Sequence, residues 1–248
     1  MASESADQKP ALVFLHGFAL DSRIWRRQVA ALSRGYRILL VDLPGFGAQA
    51  RATSEVQPGV EVGRAMDAAG LVRAHVVGAS YGAAAAVDFA LQSPKRVESL
   101  TLVAPMLLGR RMGIESWGRC VSLANDGDRA TAAEIFLDDP LFEGVRQDDE
   151  LFEEVRQIVL DYGGGHWTGA VSSRWSDPDP APRLSKLDVP ALVVSGEGDI
   201  PSFMLMAEAY AKALPRARRE IIHGVGHFVN VEAPEAFDEL LESFLGSV

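Results

Sequence analysis

Short apolar runs recur along the chain and alternate with segments in which apolar residues follow the 3.6-residue spacing of a helix. The apolar runs occupy residues 11–16, 37–42, 75–78, 99–103, 191–195 and 220–222. Helical periodicity covers residues 24–32, 82–92, 203–214 and 235–245. Strands that alternate with helices are typical of a mainly parallel sheet, here of about six strands, with helices on both faces. The expected fold class is therefore α/β, with functional groups at the carboxyl ends of the strands.

The segment 108–183 breaks this alternation. It contains no convincing strand, and helical stretches are predicted instead at residues 112–125, 129–137 and 149–162, with a less regular one at 166–176. Residues 177–182 read Asp-Pro-Asp-Pro-Ala-Pro, and closely spaced prolines disfavour helix and stiffen the backbone. We therefore expect one α/β domain formed by residues 1–107 and 184–248, with residues 108–183 inserted as a helical lid.

The pentapeptide Gly78-Ala79-Ser80-Tyr81-Gly82 joins a predicted strand to the Ala-rich helix that follows it. A serine on so tight a turn adopts strained backbone angles, and the glycines on either side leave room for neighbouring backbone. The turn would hold the Ser80 hydroxyl at the amino end of a helix, where the helix dipole favours developing negative charge. The pattern is typical of a nucleophile elbow, and a glycine-rich loop with a capping serine is the alternative.

A serine hydroxyl needs a base to act as a nucleophile, and the base needs an acid that holds its tautomer. His227 follows the last predicted strand and Asp199 follows the strand at 191–195, so both are expected at the same sheet edge as Ser80. The order Ser, Asp, His along the chain is the one expected for such an elbow. Glu197 is a rival for the acid. Asp199 could instead cap a helix, and His227 could be a packed loop histidine.

Backbone N–H groups are needed to bind the oxyanion that forms when a serine attacks a carbonyl. Phe18, which follows His16 and Gly17 after the first strand, and Tyr81, directly after Ser80, are the expected donors. His16 is interpreted as structural at this turn. The remaining histidines show no metal spacing, and neither a metal site nor a cofactor is expected. They are His75, His166 and His223, of which the first and last are also interpreted as structural.

Composition narrows the kind of partner. The chain has 248 residues, of which 48% are hydrophobic, enough for a sizeable core. Its formal charge of −10 disfavours nucleic acid and an anionic membrane, which attract basic surfaces. Cys120 is the only cysteine, so neither an intrachain disulfide nor a cysteine-rich metal site is possible. With a polar stretch at 1–10 and no apolar stretch of membrane-spanning length, we expect a cytoplasmic monomer or homodimer that acts on a small molecule.

Several motifs together resemble the α/β-hydrolase superfamily, and the resemblance extends over residues 11–245 apart from the segment 108–183. The motifs are Leu15 to Phe18, Asp42 to Gly47, the elbow, Val189 to Asp199, Gly226 to Phe228 and Glu232 to Glu235. The resemblance implies a small lidded serine esterase, lactonase or carbon–carbon hydrolase that needs no cofactor. Many members carry two further strands before the segment that matches residues 12–16. About ten polar residues precede it here, so a leading antiparallel hairpin is not expected.

A shortened start of this kind is similar to the pimeloyl-carrier-protein methyl esterases and to the menaquinone-pathway synthase that eliminates pyruvate. The segment from Leu108 to Ser185 carries eight arginines and no lysine against fifteen acidic residues. So negative a surface would repel an acidic carrier. An acyl carrier protein is therefore not expected as a partner.

The expected activity is hydrolysis of a small carboxylic ester or lactone through an acyl-enzyme, with Ser80 as nucleophile, His227 as base and Asp199 as acid. A carbon–carbon bond hydrolase, a triad-bearing lyase, a perhydrolase and a noncatalytic binding protein on the same fold remain alternatives. Large apolar residues of the segment 108–183 either line the acyl pocket or pack as core. They are Met112, Trp117, Phe136, Leu137, Trp167 and Trp175.

Overall fold

A parallel β-sheet forms the centre of the protein, whose computed structural model describes residues 9–52 and 54–248. The strands in these residues are β1 (Ala11–Leu15), β2 (Arg37–Val41), β3 (Glu55–Val56), β4 (Ala74–Ala79), β5 (Val97–Val103), β6 (Ser172–Ser173), β7 (Ala191–Gly196) and β8 (Ala217–Ile222). Six of them form one sheet in the order β2-β1-β4-β5-β7-β8, and every neighbouring pair is parallel. The predicted α/β fold with a sheet of about six strands is confirmed.

Helices connect the strands in chain order. They are α1 (Arg26–Leu32), α2 (Pro58–Ala68), α3 (Tyr81–Gln92), α4 (Trp117–Asn125), α5 (Arg129–Leu137), α6 (Asp149–Leu160), α7 (Pro201–Ala213), α8 (Val229–Glu232) and α9 (Pro234–Leu245). Helix α1 and the residue before it pack against helix α9. The Trp25 and Phe237 rings lie 6.3 Å apart, and Gln28 donates to Asp238 at 3.0 Å. The predicted helices at 24–32, 82–92, 203–214 and 235–245 are all formed, within a few residues at their ends.

The strand order reverses between β1 and β4, the second and third strands of the sheet. β1 lies between β2, the next strand along the chain, and β4. In open parallel sheets, the loops that leave the carboxyl ends of strands on either side of such a reversal diverge and leave a crevice. Here those loops are the one after Leu15 and the turn after Ala79, so the crevice lies where the sequence places Phe18 and Ser80.

Small side chains let helix α3 lie against the sheet. Its residues from Tyr81 to Ala90 are all buried, and four consecutive alanines, residues 83–86, face the interior of the protein. A Cβ atom at Gly82 would collide with the carbonyl oxygen of Leu15. The close approach of β1 and the first turn of α3 therefore requires glycine at position 82.

Helices α4, α5 and α6 all lie in the segment 108–183, between β5 and β7. The helix predicted at 112–125 begins later, at Trp117, after Gly113 with its positive φ of 71°. The less regular stretch at 166–176 is not helical; it contains turns and β6, which pairs in parallel with β3. The prediction of a segment without strands is wrong at these two residues. A two-residue pairing with a distant part of the chain leaves no apolar run in the sequence.

Helix α2 was not predicted from the sequence. Gly59 and Gly63 lower its intrinsic helix propensity and interrupt the apolar periodicity. Both glycines are buried against α3, and a Cβ at Gly59 would collide with the Asp88 carboxylate and the backbone nitrogen of Phe89. The two helices therefore pack with almost no space between them at Gly59, which compensates for the poor local propensity.

The N-terminal predictions concern a part of the chain that is largely outside the structure. The absence of a leading hairpin and the polar character of residues 1–10 fall on residues 1–8, which lie outside the described residues. From Lys9 onward the first strand is β1. None of the helices in the described ranges combines the length and the apolar composition needed to cross a membrane.

Candidate active site

Ser80 lies at the sharp turn between β4 and α3. Its φ of 51° and ψ of −112° fall outside the regions that residues with a Cβ ordinarily adopt. Main-chain hydrogen bonds hold it there: the Ser80 N–H donates to the Val103 carbonyl at 2.9 Å, and the Ser80 carbonyl accepts from the Met106 N–H at 3.2 Å. A Cβ at Gly78 would collide with the backbone of Gly82, which explains the glycine spacing around the serine. The turn places Ser80 on the wall of a cavity.

His227 and Asp199 form a buried pair. The Nδ1 atom of His227 lies 3.0 Å from each carboxylate oxygen of Asp199, and the side chains are 4% and 0% exposed. His227 also lies on the cavity wall that carries Ser80. Among the described residues no hydrogen bond joins the Ser80 hydroxyl to the His227 ring. Such a bond often forms or tightens only when substrate is bound, and the two groups already share the cavity.

The rival acid, Glu197, lies on the other side of the same loop. It is exposed and pairs with His223 at 3.2 Å, and it accepts a hydrogen bond from the Gly224 N–H at 3.3 Å. Asp199 is turned inward because the Gly198 N–H donates to the Val225 carbonyl at 2.8 Å, which joins the two loops in register. The structure thus brings Asp199, and not Glu197, against the His227 ring.

The loop that carries His227 is braced by Glu232. Its carboxylate accepts hydrogen bonds from the backbone N–H groups of Gly226 and Phe228, the residues on either side of the histidine. A charged acceptor makes hydrogen bonds stronger than neutral ones. Glu232 had been noted in the sequence only as part of a motif, because no local pattern shows that its carboxylate points back at the loop.

Two backbone N–H groups are available for an oxyanion. The amides of Phe18 and Tyr81 donate no hydrogen bond within the described part of the chain, and both residues lie on the cavity wall with Ser80. The Phe18 amide belongs to a turn in which the Leu20 N–H donates to the Gly17 carbonyl at 3.3 Å. The structure therefore brings both predicted donors to the serine.

His16 supports this turn from behind. Its Nδ1 lies 2.8 Å from the Gly17 carbonyl and its Nε2 accepts the Leu43 N–H at 2.9 Å, so the ring carries its proton on Nδ1. Complete burial lowers the pKa of His16 and keeps the ring neutral. Both nitrogens are committed to backbone groups, which agrees with the structural role expected for this histidine.

The cavity has a volume of about 410 Å³ and is lined mainly by apolar side chains. Four of the six pocket residues proposed from the sequence lie on its wall: Met112, Trp117, Phe136 and Trp175. Leu137 and Trp167 do not line it in the described structure; they are 1% and 2% exposed and pack behind the wall. On helix α5, Phe136 faces the cavity while its neighbour Leu137 points into the core, since adjacent helical positions lie on different faces.

Other residues of the wall had no signal in the sequence. The main apolar ones are Leu20, Ile24, Leu141, Phe142, Phe203 and Phe228. Arg110 is the one arginine or lysine on the wall in the described chain, and its guanidinium lies 3.7 Å from the Asp179 carboxylate. Asn230 is almost completely buried and also reaches the wall.

His166 is a second histidine on the cavity wall. Its ring stacks on Phe46 with centroids 4.5 Å apart, and the Tyr162 hydroxyl lies 3.2 Å from Nδ1. Burial lowers the pKa of His166 to about 4, so the ring is neutral at pH 7. In the described part of the chain, no group of three or more His, Cys, Asp or Glu residues, with or without His166, could hold a metal ion.

Relatives of known name match this chain over nearly its whole length. A 2-hydroxy-6-oxononadienedioate/2-hydroxy-6-oxononatrienedioate hydrolase of Paraburkholderia phymatum is 30% identical over 96% of this chain and 88% of that protein. A dihydrolipoyllysine-residue acetyltransferase component of an acetoin cleaving system of Cupriavidus necator is also 30% identical over 95% of this chain, which spans 63% of that protein's length. A carboxylesterase of Bacillus subtilis is 27% identical over 95% of this chain and 80% of that protein.

Structural similarity extends over nearly the whole chain. The crystal structure of a hydrolase from Pseudomonas aeruginosa has a TM-score of 0.83 and 27% identity, over 98% of this chain and 92% of that one. The family model of the alpha/beta hydrolase fold matches residues 10–234, which include the elbow and the loops of Asp199 and His227. With this match over most of its sequence, and with a strained serine at the switch point of a six-stranded parallel sheet, the chain belongs to the α/β-hydrolase family and is a hydrolase.

Proposed function

We propose that the chain hydrolyses a small carboxylic ester or lactone through an acyl-enzyme on Ser80. One observation carries the proposal: Ser80 and His227 share a cavity, and His227 is bonded through Nδ1 to the buried carboxylate of Asp199. A carboxylate that accepts from the Nδ1–H leaves Nε2 as the basic nitrogen, and it stabilises the ring once a second proton is bound. That is the tautomer a general base needs.

In the proposed reaction, His227 Nε2 removes the proton of the Ser80 hydroxyl while the oxygen attacks the substrate carbonyl. The negative charge moves to the former carbonyl oxygen, which accepts hydrogen bonds from the Phe18 and Tyr81 amides. Collapse of this intermediate expels the alcohol, which takes the proton from His227. A water molecule then repeats the sequence on the acyl-enzyme, releasing the acid and restoring Ser80.

The cavity favours a substrate with little charge. The relative from Paraburkholderia phymatum is named for a dioate, which carries two carboxylates at neutral pH. Buried carboxylates require cationic or hydrogen-bonding partners. In the described chain Arg110 is the one arginine or lysine on the wall, and Asp179 already faces it. This charge distribution supports an ester or lactone over a dicarboxylate as substrate.

Carbon–carbon bond hydrolysis is the second candidate. A relative at 30% identity is named as a hydrolase of a 2-hydroxy-6-oxo dioate, a compound that contains no ester, so its hydrolysis must break a carbon–carbon bond. A substrate with a single acid group at the mouth of the cavity could pair with Arg110 in place of Asp179. The two candidates are separated by assaying p-nitrophenyl esters beside a vinylogous 1,5-diketone acid. Cleavage of the diketone acid without ester turnover would favour the second candidate.

We also propose that residues 108–183 act as a lid over the site. Helices α4 and α5 supply Trp117 and Phe136 to the cavity wall. The C-terminal part of this segment is hydrogen-bonded to α3. The Tyr81 hydroxyl lies 2.7 Å from the Ser173 hydroxyl, and the Ser176 N–H donates to the Asp88 carboxylate at 3.0 Å. A lid anchored in this way would exclude water from the acyl-enzyme and hold the pocket in shape.

The proposal is tested with p-nitrophenyl esters of graded chain length, several lactones and a fluorophosphonate probe. We expect turnover by the wild type, labelling at Ser80, and a loss of roughly 10³-fold or more in kcat for Ser80→Ala, since only binding and oxyanion contributions would remain. Ser122→Ala, at an exposed serine of α4, is the matched control and should keep full activity. Labelling at a different serine, or an active Ser80→Ala variant, would disprove the assignment.

A further inference from the structure

Asn230 is a buried polar residue on the cavity wall, one helical turn after His227. It is the second residue of α8 and is 2% exposed. Most of the wall is apolar: Phe228, two residues before Asn230, lines it, and the Phe228 ring lies 4.8 Å from that of Phe142. A buried amide in such surroundings needs hydrogen-bond partners for both of its ends.

The nitrogen end of the Asn230 amide is fixed by the protein. Nδ2 donates to the Ile24 carbonyl at 2.9 Å and makes a longer contact of 3.5 Å with Gln28 Oε1. A backbone carbonyl only accepts hydrogen bonds, so the group that faces Ile24 must be the NH₂ and the amide cannot be reversed. Gln28 is itself held in place, since its Nε2 donates to the main-chain carbonyl of Asn230 and to the Asp238 carboxylate, each at 3.0 Å.

The oxygen end has no such partner. Oδ1 of Asn230 accepts no hydrogen bond within the described residues, and, unlike the Trp25 and Trp167 indole nitrogens, it is not closed off by surrounding atoms. Because the residue as a whole is 2% exposed and lies on the cavity wall, the small accessible part of the side chain faces the cavity. Oδ1 of Asn230 is therefore a hydrogen-bond acceptor of fixed orientation on a mainly apolar wall.

We propose that Asn230 Oδ1 selects substrates that carry a hydrogen-bond donor, a hydroxyl or an N–H, on the group that enters this part of the cavity. This inference rests on the proposed ester hydrolysis and narrows its substrate class from simple hydrocarbon esters to hydroxylated or amidated ones. A carboxylate or ether oxygen at the same place would set lone pair against lone pair, whereas a donor satisfies the amide oxygen. Asn230 is thus a specificity residue, separate from the triad.

The experiment compares matched substrates that differ only in donor capacity. Wild-type kcat/KM is measured for p-nitrophenyl phenylacetate, its three monohydroxy isomers and the three corresponding methoxy compounds, with ω-hydroxy and unsubstituted alkanoates as a second series. We expect at least one hydroxylated ester to be preferred by roughly 3- to 10-fold over both its parent and its methoxy counterpart, the size of one neutral hydrogen bond. This ratio needs no variant and is unaffected by folding defects.

Two variants connect the preference to the residue. Asn230→Leu, which keeps the branching at Cγ but carries no polar atom, and Asn230→Ala should each reduce the ratio to about one while still hydrolysing the unsubstituted parent. Asn125→Ala, at the chain's other asparagine, which is exposed and off the wall, should keep the wild-type ratio. Equal wild-type rates for hydroxylated and parent esters would overturn the inference and leave the proposed function intact. That result is expected if a water molecule, and not the substrate, donates to Oδ1. A preference that survives in both Asn230 variants would overturn it too. No turnover of any ester would overturn both.

Discussion

Replacement of Asp199 by asparagine tests the acid assignment most directly. The substitution keeps the size and shape of the side chain but removes its charge. It also places an NH₂ group that can donate to the His227 ring, whose Nδ1 now lies 3.0 Å from both carboxylate oxygens. A donor at that position makes Nδ1 the acceptor and moves the ring proton to Nε2. His227 would then present N–H, not a lone pair, to Ser80.

The expected loss is large because nothing can replace the carboxylate. The side chains of His227 and Asp199 are 4% and 0% exposed, so water cannot enter to stabilise the imidazolium that forms during attack. Substituting the acid of a triad without changing its shape lowers kcat on the order of 10⁴-fold, and we expect at least 10³-fold here. The matched variant is Glu197→Gln. Glu197 is exposed and pairs with an exposed histidine, and such a surface pair contributes little. Its activity should stay within about twofold of the wild type.

The assay measures kcat and KM for the best p-nitrophenyl ester in the wild type and both variants, with circular dichroism to show that each is folded. Asp199→Asn should lose kcat with little change in KM, since the carboxylate acts on the transition state and does not touch the ground-state substrate. If Glu197→Gln proves the more damaging of the two, the geometry of this loop has been misread and the exposed carboxylate is the acid.

Two further outcomes follow from the loops and the cavity wall. Glu232→Ala should lower kcat by roughly 10-fold with KM nearly unchanged, because the Gly226 and Phe228 amides lose a charged acceptor and the loop that carries His227 loosens. Glu235→Ala, at an exposed residue of α9, is the control. Equal activities of the two variants would refute the role of Glu232 in holding the loop. Burial lowers the pKa of His166 to about 4, against 6.5 in the unfolded chain. Between these values the unfolded chain binds a proton that the folded protein does not. The free energy of unfolding should therefore fall by roughly 1 to 3 kcal/mol as the pH falls from 6.5 to 4. Urea titrations at pH 7, 5.5 and 4.5 should show a weaker dependence in His166→Phe, and an unchanged dependence would contradict the assignment.

Local patterns were sufficient for most of the sheet and its helices. Short apolar runs located the strands of the large sheet, because its inner strands are covered on both faces and are mainly apolar. The edge strand β8 begins with Ala-Arg-Arg and is partly exposed, so the apolar pattern predicted only its last three residues, 220–222. Helix α2 was missed because Gly59 and Gly63 weaken the helical signal. These glycines stabilise the fold only through the close packing of α2 against α3, which the local sequence does not show. The pairing of Ser172–Ser173 with Glu55–Val56 was missed for a similar reason: both segments are short and polar, and only their proximity in space makes them a sheet.

For the site, chain order and loop position predicted Ser80, Asp199 and His227 as one set, but the contact that separates Asp199 from its rival Glu197 appears only in the structure. That choice depends on the Gly198–Val225 hydrogen bond, which joins loops 27 residues apart. Helical spacing likewise could not predict that Phe136 faces the cavity and Leu137 does not. Periodicity defines the apolar face of a helix but does not show whether that face meets a cavity or the packed core. Asn230 carries no sequence signal, since its role follows from which end of its amide the protein leaves free.

The elbow has a consequence for how this scaffold can be altered. Ser80 is held at its φ of 51° by the Val103 carbonyl and the Met106 amide, which are main-chain groups, and by the room that Gly78 and Gly82 leave. The backbone strain, of about 1 to 3 kcal/mol, is carried by the surrounding fold and does not depend on the hydroxyl. Cysteine or aspartate at this position should therefore adopt the same turn and project a different nucleophile at the same point. A single substitution at position 80 should therefore change the side chain that this turn presents to the cavity without changing the backbone that carries it.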